Sequence, residues 1–167
     1  MQWDILYEVI VFPIIFILPA YVANGAPVIF GGGKPLDLGK KYLGKRIFGD
    51  HKTIRGTIAG IASGFVISLI EAQFISFMLA TGIMLTLGTH FGDLLGSFIK
   101  RRAGKKEGSA FLFFDQYLFL IFALLFAYPL GNFPNIYGLI FLFALTGVMH
   151  ALTNRLAYMA KLKKVPW

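Results

Sequence analysis

Apolar residues run along this chain in five long blocks, and most of the charged residues cluster in the gaps between them. The blocks predict helices over roughly residues 5–23, 53–70, 74–99, 109–128 and 136–160. Each holds about 18 residues or more, enough to cross a hydrocarbon core about 30 Å thick. Connections fall near 24–52, 71–73, 100–108 and 129–135, with no internal repeat and no low-complexity tract. A single membrane domain is expected to cover residues 1–167. The predicted fold class is all-α: a polytopic membrane protein with five transmembrane helices and basic loops on one side.

Composition supports the membrane reading. Of the 167 residues 57% are hydrophobic and only 14% charged, with a mean hydropathy of +0.71. A soluble domain carries about 25% charged residues. The first block has Asp4 and Glu8 near its start and neither a basic segment before it nor a small-residue cleavage pattern after it. It is therefore expected to stay as a spanning helix rather than be removed as a signal peptide. The chain has no cysteine, which excludes disulfides, thiolate metal sites and a cysteine nucleophile.

Charge then orients the helices. Five spans put the first loop, the third loop and the C-terminus on one face. Seven basic residues lie in the first loop and its exit, five in the third loop and four in the tail, which accounts for all sixteen. The opposite face holds only Asp4, Glu8 and Glu71. By the positive-inside rule the basic face is expected to be cytoplasmic and the N-terminus outside, in a cell membrane. An even number of spans would mix the two faces.

Two blocks carry glycine at every fourth position: Gly56, Gly60 and Gly64 in the second, Gly88, Gly92 and Gly96 in the third. Such ridges let helix backbones approach closely in lipid. They are expected to bring the polar residues of these two helices side by side.

Several of those polar residues need a reason to be where they are. Asp93, Ser97, Lys100 and Arg101 stand at i, i+4, i+7 and i+8, on one helical face. Asp93 lies about 9 Å inside the basic end of its helix. A lone carboxylate at that depth costs roughly 2.5–3.5 kcal/mol, so it should face protein, water or a metal. An ion pair with a neighbouring Lys or Arg is the structural alternative. Asp115 sits near the start of the fourth block, and the short connection before it makes the third and fourth helices antiparallel neighbours. Two carboxylates at similar depth suit Mg²⁺, which takes one or two protein carboxylates plus phosphate oxygens and water.

The first loop is long and holds seven glycines between Gly25 and Gly49, mixed with Lys, Arg, Asp37 and Asp50. Loops beyond about 12–15 residues are usually functional or disordered, and glycines let backbone N–H groups approach phosphate oxygens. The stretch GGGKP lacks the P-loop spacing. Lys52 and Arg55 flank Thr53, a candidate N-cap, so a helix N-terminus and basic side chains meet at one point. His90, His150 and Asn154 fit interhelical hydrogen bonding better than ligation. A small membrane transporter built on an intramembrane Asp is the alternative function, although no repeat symmetry supports it.

The stretch PLDLGKKYLGKRIFGDHKTIRGTIAG, with GDLLGSFIKRRAGKKEG and the following FDQ, resembles the CDP-archaeol synthase family from about Ala20 to Gln116. Ser97, Lys100, Arg101 and Asp115 also follow the order of a signature in the larger phosphatidate cytidylyltransferases. The chain departs from those enzymes at Gln116, where they have Arg, and lacks their P-G-H-G-G stretch. The resemblance implies a Mg²⁺-dependent reaction in which CTP and 2,3-bis-O-geranylgeranylglyceryl phosphate give CDP-archaeol and pyrophosphate. Asp93 and Asp115 would then bind metal, and Lys52, Arg55, Lys100 and Arg101 phosphates. Ser97 would assist by hydrogen bonding, while Asp37 and Asp50 would contact the CTP base or ribose. Expected partners are CTP and a membrane lipid phosphate, without nucleic acid; sequence leaves the oligomeric state open, a homodimer being one option.

Overall fold

The computed structural model describes residues 2–105, 109, 111–163 and 165, with the side chains of Gln2, Leu112, Phe113 and Asp115 outside the description. The chain opens with α1 (Gln2–Leu6), a π-helical turn (Tyr7–Val11) and α2 (Phe12–Phe30), which run on as one rod. A loop bearing the short strands β1 (Lys41–Tyr42) and β2 (Lys45–Arg46) leads to α3 (Ile54–Ala72) and α4 (Met78–Arg102). α5 (Leu112–Ala127) continues through a 3₁₀ turn at Tyr128–Leu130, and α6 (Ile136–Met159) follows.

Among the described residues four helical stretches are long and apolar enough to cross a membrane: Trp3–Phe30, α3, α4 and α6. The remaining predicted span, over 109–128, starts later than expected. Phe111 has non-helical backbone (φ −135°, ψ 67°), so α5 starts at Leu112 rather than near residue 109. Its 16 residues and the 3₁₀ turn together still rise about 30 Å. The protein is thus a helical, multi-pass membrane protein.

The first helix also departs from expectation, ending at Phe30 instead of near Ala23. The sequence Asn24-Gly25-Ala26-Pro27 reads locally as a turn. Pro27 has no N–H for the Ala23 carbonyl, yet that carbonyl lies against α3, where a Cβ on Gly60 would meet it at 2.7 Å. Pro27 itself packs on Gly56. Close packing on the α3 glycines therefore outweighs the local turn preference.

Glycine contacts set the helix register. Gly60 faces His90 and Gly64 faces Thr86, so α3 and α4 are antiparallel. Gly88 meets Phe122 and Gly92 meets Leu118, so α4 and α5 are antiparallel too. The two glycine ridges therefore take different partners. A ridge of glycines accepts a partner that brings volume, so α3 receives Thr86 and His90 while the α4 ridge receives the α5 backbone. The polar residues of α4 turn toward α3 as a result.

Phe16, Ile17 and Ala20 of α2 form the core with Met78, Leu85, Leu120, Ala123 and Leu142 from the other helices. One polar tie crosses it, a 2.6 Å hydrogen bond between the hydroxyls of Tyr21 and Thr146.

Candidate active site

The loop between α2 and α3 is closed at its base. Leu36 N–H donates to the Lys52 carbonyl (2.6 Å) and Ile54 N–H to the Lys34 carbonyl (3.1 Å), with Pro35 paired to Thr53. Within it the Leu43-Gly44 turn has φ of 48° and 75°, the positive pair that a two-residue hairpin requires. The all-α expectation missed this hairpin because its strands are two residues each and strongly basic.

Asp37 holds the loop together. Its Oδ1 accepts from Gly39 N–H and Arg46 Nη2, and its Oδ2 accepts from Arg46 Nε and the N–H groups of Phe48 and Gly49. The side chain is fully buried. Asp37 is thus committed to loop architecture, with no oxygen left to read a base or ribose. Asp50, two-thirds exposed, pairs with the same Arg46 at 2.6 Å. Burial pushes the Asp37 carboxyl up, but Arg46 and the three backbone N–H groups outweigh it and hold it well below the usual carboxylate range. Its stabilising effect is therefore complete above the ordinary carboxylate value and lost only as pH falls through the depressed folded value. Asp37→Ala is expected to expose residues 38–50 to limited proteolysis at pH 7. The wild-type loop should stay protected down to pH 4, and equal cleavage of both proteins would contradict this role.

Arg102 docks the hairpin onto α4. Its guanidinium donates to the carbonyls of Tyr42, Lys45 and Arg46 and lies over the Tyr42 and Phe98 rings. Lys45 Nζ returns a bond to the Arg102 carbonyl at 3.0 Å. The first loop and the end of α4 consequently share one face of the bundle, as the charge distribution predicted. Lys106 and Lys164 lie outside the described residues. Arg46 and Arg102 were not singled out from sequence, because nothing local separates an arginine that folds a loop from its basic neighbours.

Thr53 caps α3, its Oγ1 accepting from Gly56 N–H at 3.1 Å. Just before it, Lys52 Nζ reaches across to α4 and donates to both oxygens of Asp93, at 2.6 and 2.5 Å. The pair is about one-third open: Lys52 is 27% and Asp93 33% exposed. His90, one turn earlier, is buried beside Gly60. Ser97 is buried and donates its hydroxyl to the Asp93 carbonyl at 3.0 Å, in the manner of a helix back-bond. Lys100 and Arg101 occupy the last turn of α4, where cations complement the helix dipole.

Arg55 does not join Lys52. It is exposed on the other side of the α3 start, in a shallow groove with Phe30 and Lys34. The Asp115 side chain lies outside the described residues. Its backbone belongs to α5, where Leu118 stands level with Gly92 and Phe114 near Gly96, about one turn from Asp93. Among the described residues no three His, Cys, Asp or Glu side chains cluster.

Comparison with known proteins identifies the family. The family model described as CarS-like, CDP-archaeol synthase, matches residues 6–167. The CDP-archaeol synthase of Pyrococcus abyssi is 48% identical over 160 residues, covering 91% of this chain and 95% of that protein. That of Pyrococcus furiosus is 45% identical, with the same coverage. A solved structure, described as an intramembrane enzyme for archaeal membrane lipids biosynthesis, superposes with a TM-score of 0.80 at 34% identity. It spans 87% of this chain and 94% of its own. Membrane helices, a carboxylate and lysine joined at their basic end, and similarity along almost the whole length lead to one assignment: this chain belongs to the CDP-archaeol synthase family.

Proposed function

We propose that the protein transfers the cytidylyl group of CTP to 2,3-bis-O-geranylgeranylglyceryl phosphate, releasing pyrophosphate and CDP-archaeol, with Mg²⁺ as cofactor. The observation that carries this is the partly open Lys52–Asp93 pair, at the end of the bundle where the basic loops converge. Both substrates are polyanions, and one is anchored in the membrane. The site answers with positive charge at headgroup depth and apolar helix surface below it.

In-line attack of a lipid phosphate oxygen on the α-phosphorus forms one P–O bond and breaks the bond to the leaving pyrophosphate. Positioning and charge stabilisation suffice for such a step, and no protein nucleophile is needed. Lys52, Lys100 and Arg101 bind the triphosphate. Lys52 neutralises Asp93 in the substrate-free enzyme and stands within reach of an arriving phosphate. Ser97 stiffens the turn that carries Asp93, and Asp37 with Arg46 holds Lys52 in register through the loop.

Asp93 suits Mg²⁺ by its chemistry once Lys52, which holds both of its oxygens here, turns to the triphosphate. Asp93 offers hard oxygen donors that remain partly exposed, and the α4–α5 register supports Asp115 as the second carboxylate; the remaining ligands would be phosphate oxygens and water. The ion would neutralise triphosphate charge during transfer.

The test is a panel of lipid phosphates given to purified enzyme with CTP and Mg²⁺, with pyrophosphate release as readout. Because the attacked atom is in CTP and the chains only anchor the acceptor, ester-linked phosphatidic acid is expected to react more slowly than the ether lipid, though measurably. A faster ester substrate would contradict the ether-lipid assignment.

The basic face is cytoplasmic on this reading. A cysteine at Lys40 or Lys105 is expected to be labelled only from the cytoplasm, and one at Gly131 only from outside. Labelling of positions 40 and 105 from opposite faces would overturn the topology.

A further inference from the structure

The loop between α2 and α3 carries two turns of the same kind, Asp37-Leu38-Gly39-Lys40 and Tyr42-Leu43-Gly44-Lys45. Lys40 N–H donates to the Asp37 carbonyl at 2.8 Å, and Tyr42 pairs with Lys45 in the hairpin. In both turns leucine and glycine have positive φ, 49° and 80° in the first and 48° and 75° in the second. Asparagine, aspartate and glycine adopt this left-handed region readily, and leucine does not. Packing does not offset the strain, since Leu38 is 61% and Leu43 77% exposed. Tyr42 is half-exposed between them, and the exposed Lys40, Lys41 and Lys45 stand around them. Asp37 and Asp50, the acids of the loop, are engaged by Arg46, which leaves the tip apolar and cationic.

The depth of the tip follows from how the hairpin is docked. The Tyr42 ring lies 6.3 Å from that of Phe98 and beneath the Arg102 guanidinium. Phe98 stands one turn, about 6 Å, inside the end of α4. That helix rises about 37 Å, more than the hydrocarbon core, so its last turn reaches the headgroup layer. We propose that the hairpin tip docks into this layer of the leaflet at the basic end as a membrane anchor. Leu38 and Leu43 insert below the lipid phosphates, and Lys40 and Lys41 pair with anionic headgroups while staying open to water. Apolar side chains ringed by lysines complement a negatively charged lipid surface, and tyrosine favours the same depth. A nucleotide offers charge to the lysines but nothing to cover two leucines. The anchor stands apart from cytidylyl transfer, yet it fixes the height of Lys52, whose carbonyl closes the same loop at Leu36.

The chain has no cysteine, so Leu43→Cys gives a single attachment point for an environment-sensitive fluorophore, and Leu38→Cys gives a second, independent one. Each labelled full-length protein is reconstituted into vesicles of neutral phosphatidylcholine, or of the same lipid with phosphatidylglycerol added. In the anionic vesicles the label is expected to emit at shorter wavelength, to be quenched by a nitroxide near the top of the lipid chain, and to escape aqueous acrylamide. Lys40→Gln/Lys41→Gln is expected to return lipid quenching to its level in neutral vesicles, each lysine accounting for about a fivefold change in partitioning. Both lysines are exposed, so the thermal midpoint of that variant in detergent should match the wild type. Labels at both sites that stay open to acrylamide and untouched by the nitroxide would overturn the anchor. So would equal lipid quenching in neutral and anionic vesicles, or protection that arises only when CTP is added.

Discussion

Asp93→Asn is expected to give a folded protein whose turnover falls by at least ~10²-fold, the scale of losing one preorganised electrostatic partner. The substitution keeps size and hydrogen-bonding capacity but removes the charge that faces Lys52 and, on the proposed mechanism, the cation. Stability should change little. Both partners of the pair are partly exposed, so the released Lys52 reaches water or lipid headgroups instead of being stranded. If Asp93 and Asp115 assemble one site, the double variant Asp93→Asn/Asp115→Asn should be scarcely worse than either single change, a failure of additivity. Lys52→Ala, by contrast, should weaken CTP binding and leave the Mg²⁺ dependence intact. A purely structural ion pair gives the reverse pattern: Asp93→Asn would lower the thermal midpoint, and the surviving folded enzyme would be fully active. Thermal midpoints in detergent, measured beside Mg²⁺-titrated turnover, separate the two.

Gly92→Leu is expected to abolish the folded state, and Gly92→Ala to cost about 1–3 kcal/mol, the range for overpacking a tight interior. A Cβ on Gly92 would run into the Leu118 carbonyl, with the Leu118 carbonyl carbon at 2.8 Å and Phe119 Cα at 2.9 Å. All three obstacles are backbone, which no rotamer change can move, so α5 must shift away from α4. That shift would also carry Asp115 away from Asp93. Gly92→Ala should therefore lose activity beyond its loss of stability, whereas Gly131→Ala, in open space at the opposite end, should disturb the site far less. Its positive φ of 72° gives that change only a local cost. Monodispersity and thermal midpoint in detergent provide the check, and a Gly92→Leu protein with wild-type stability would contradict the close α4–α5 approach.

What the sequence made legible was whatever local pattern and overall charge determine. The last helix follows its predicted bounds to within a residue, because apolar length decides it. The Thr53 cap and the shared face of the basic loops followed from capping chemistry and charge counting. Asp93 was recognisable as a carboxylate out of place and Lys52 as a lysine at a helix mouth, yet their contact spans 41 positions and appears only once α3 packs on α4. The misreadings were non-local in origin. α2 runs through Asn24-Gly25-Ala26-Pro27 because α3 offers it glycines. Arg55 parts from Lys52 because the α3 start lies between a groove and a helix. Asp37 resembled a ligand in sequence, but it is the residue around which the loop folds.

The most direct measurement follows the atoms. Purified protein receives CTP labelled at the α-phosphorus, Mg²⁺ and the ether-linked lipid phosphate, and the label is partitioned between aqueous and organic phases while pyrophosphate is counted. The account predicts that label enters the lipid phase as a cytidine-containing product, one molecule for each pyrophosphate released, and only when the lipid phosphate is present. Label that remains in water as CMP or CDP while CTP is consumed would contradict cytidylyl transfer.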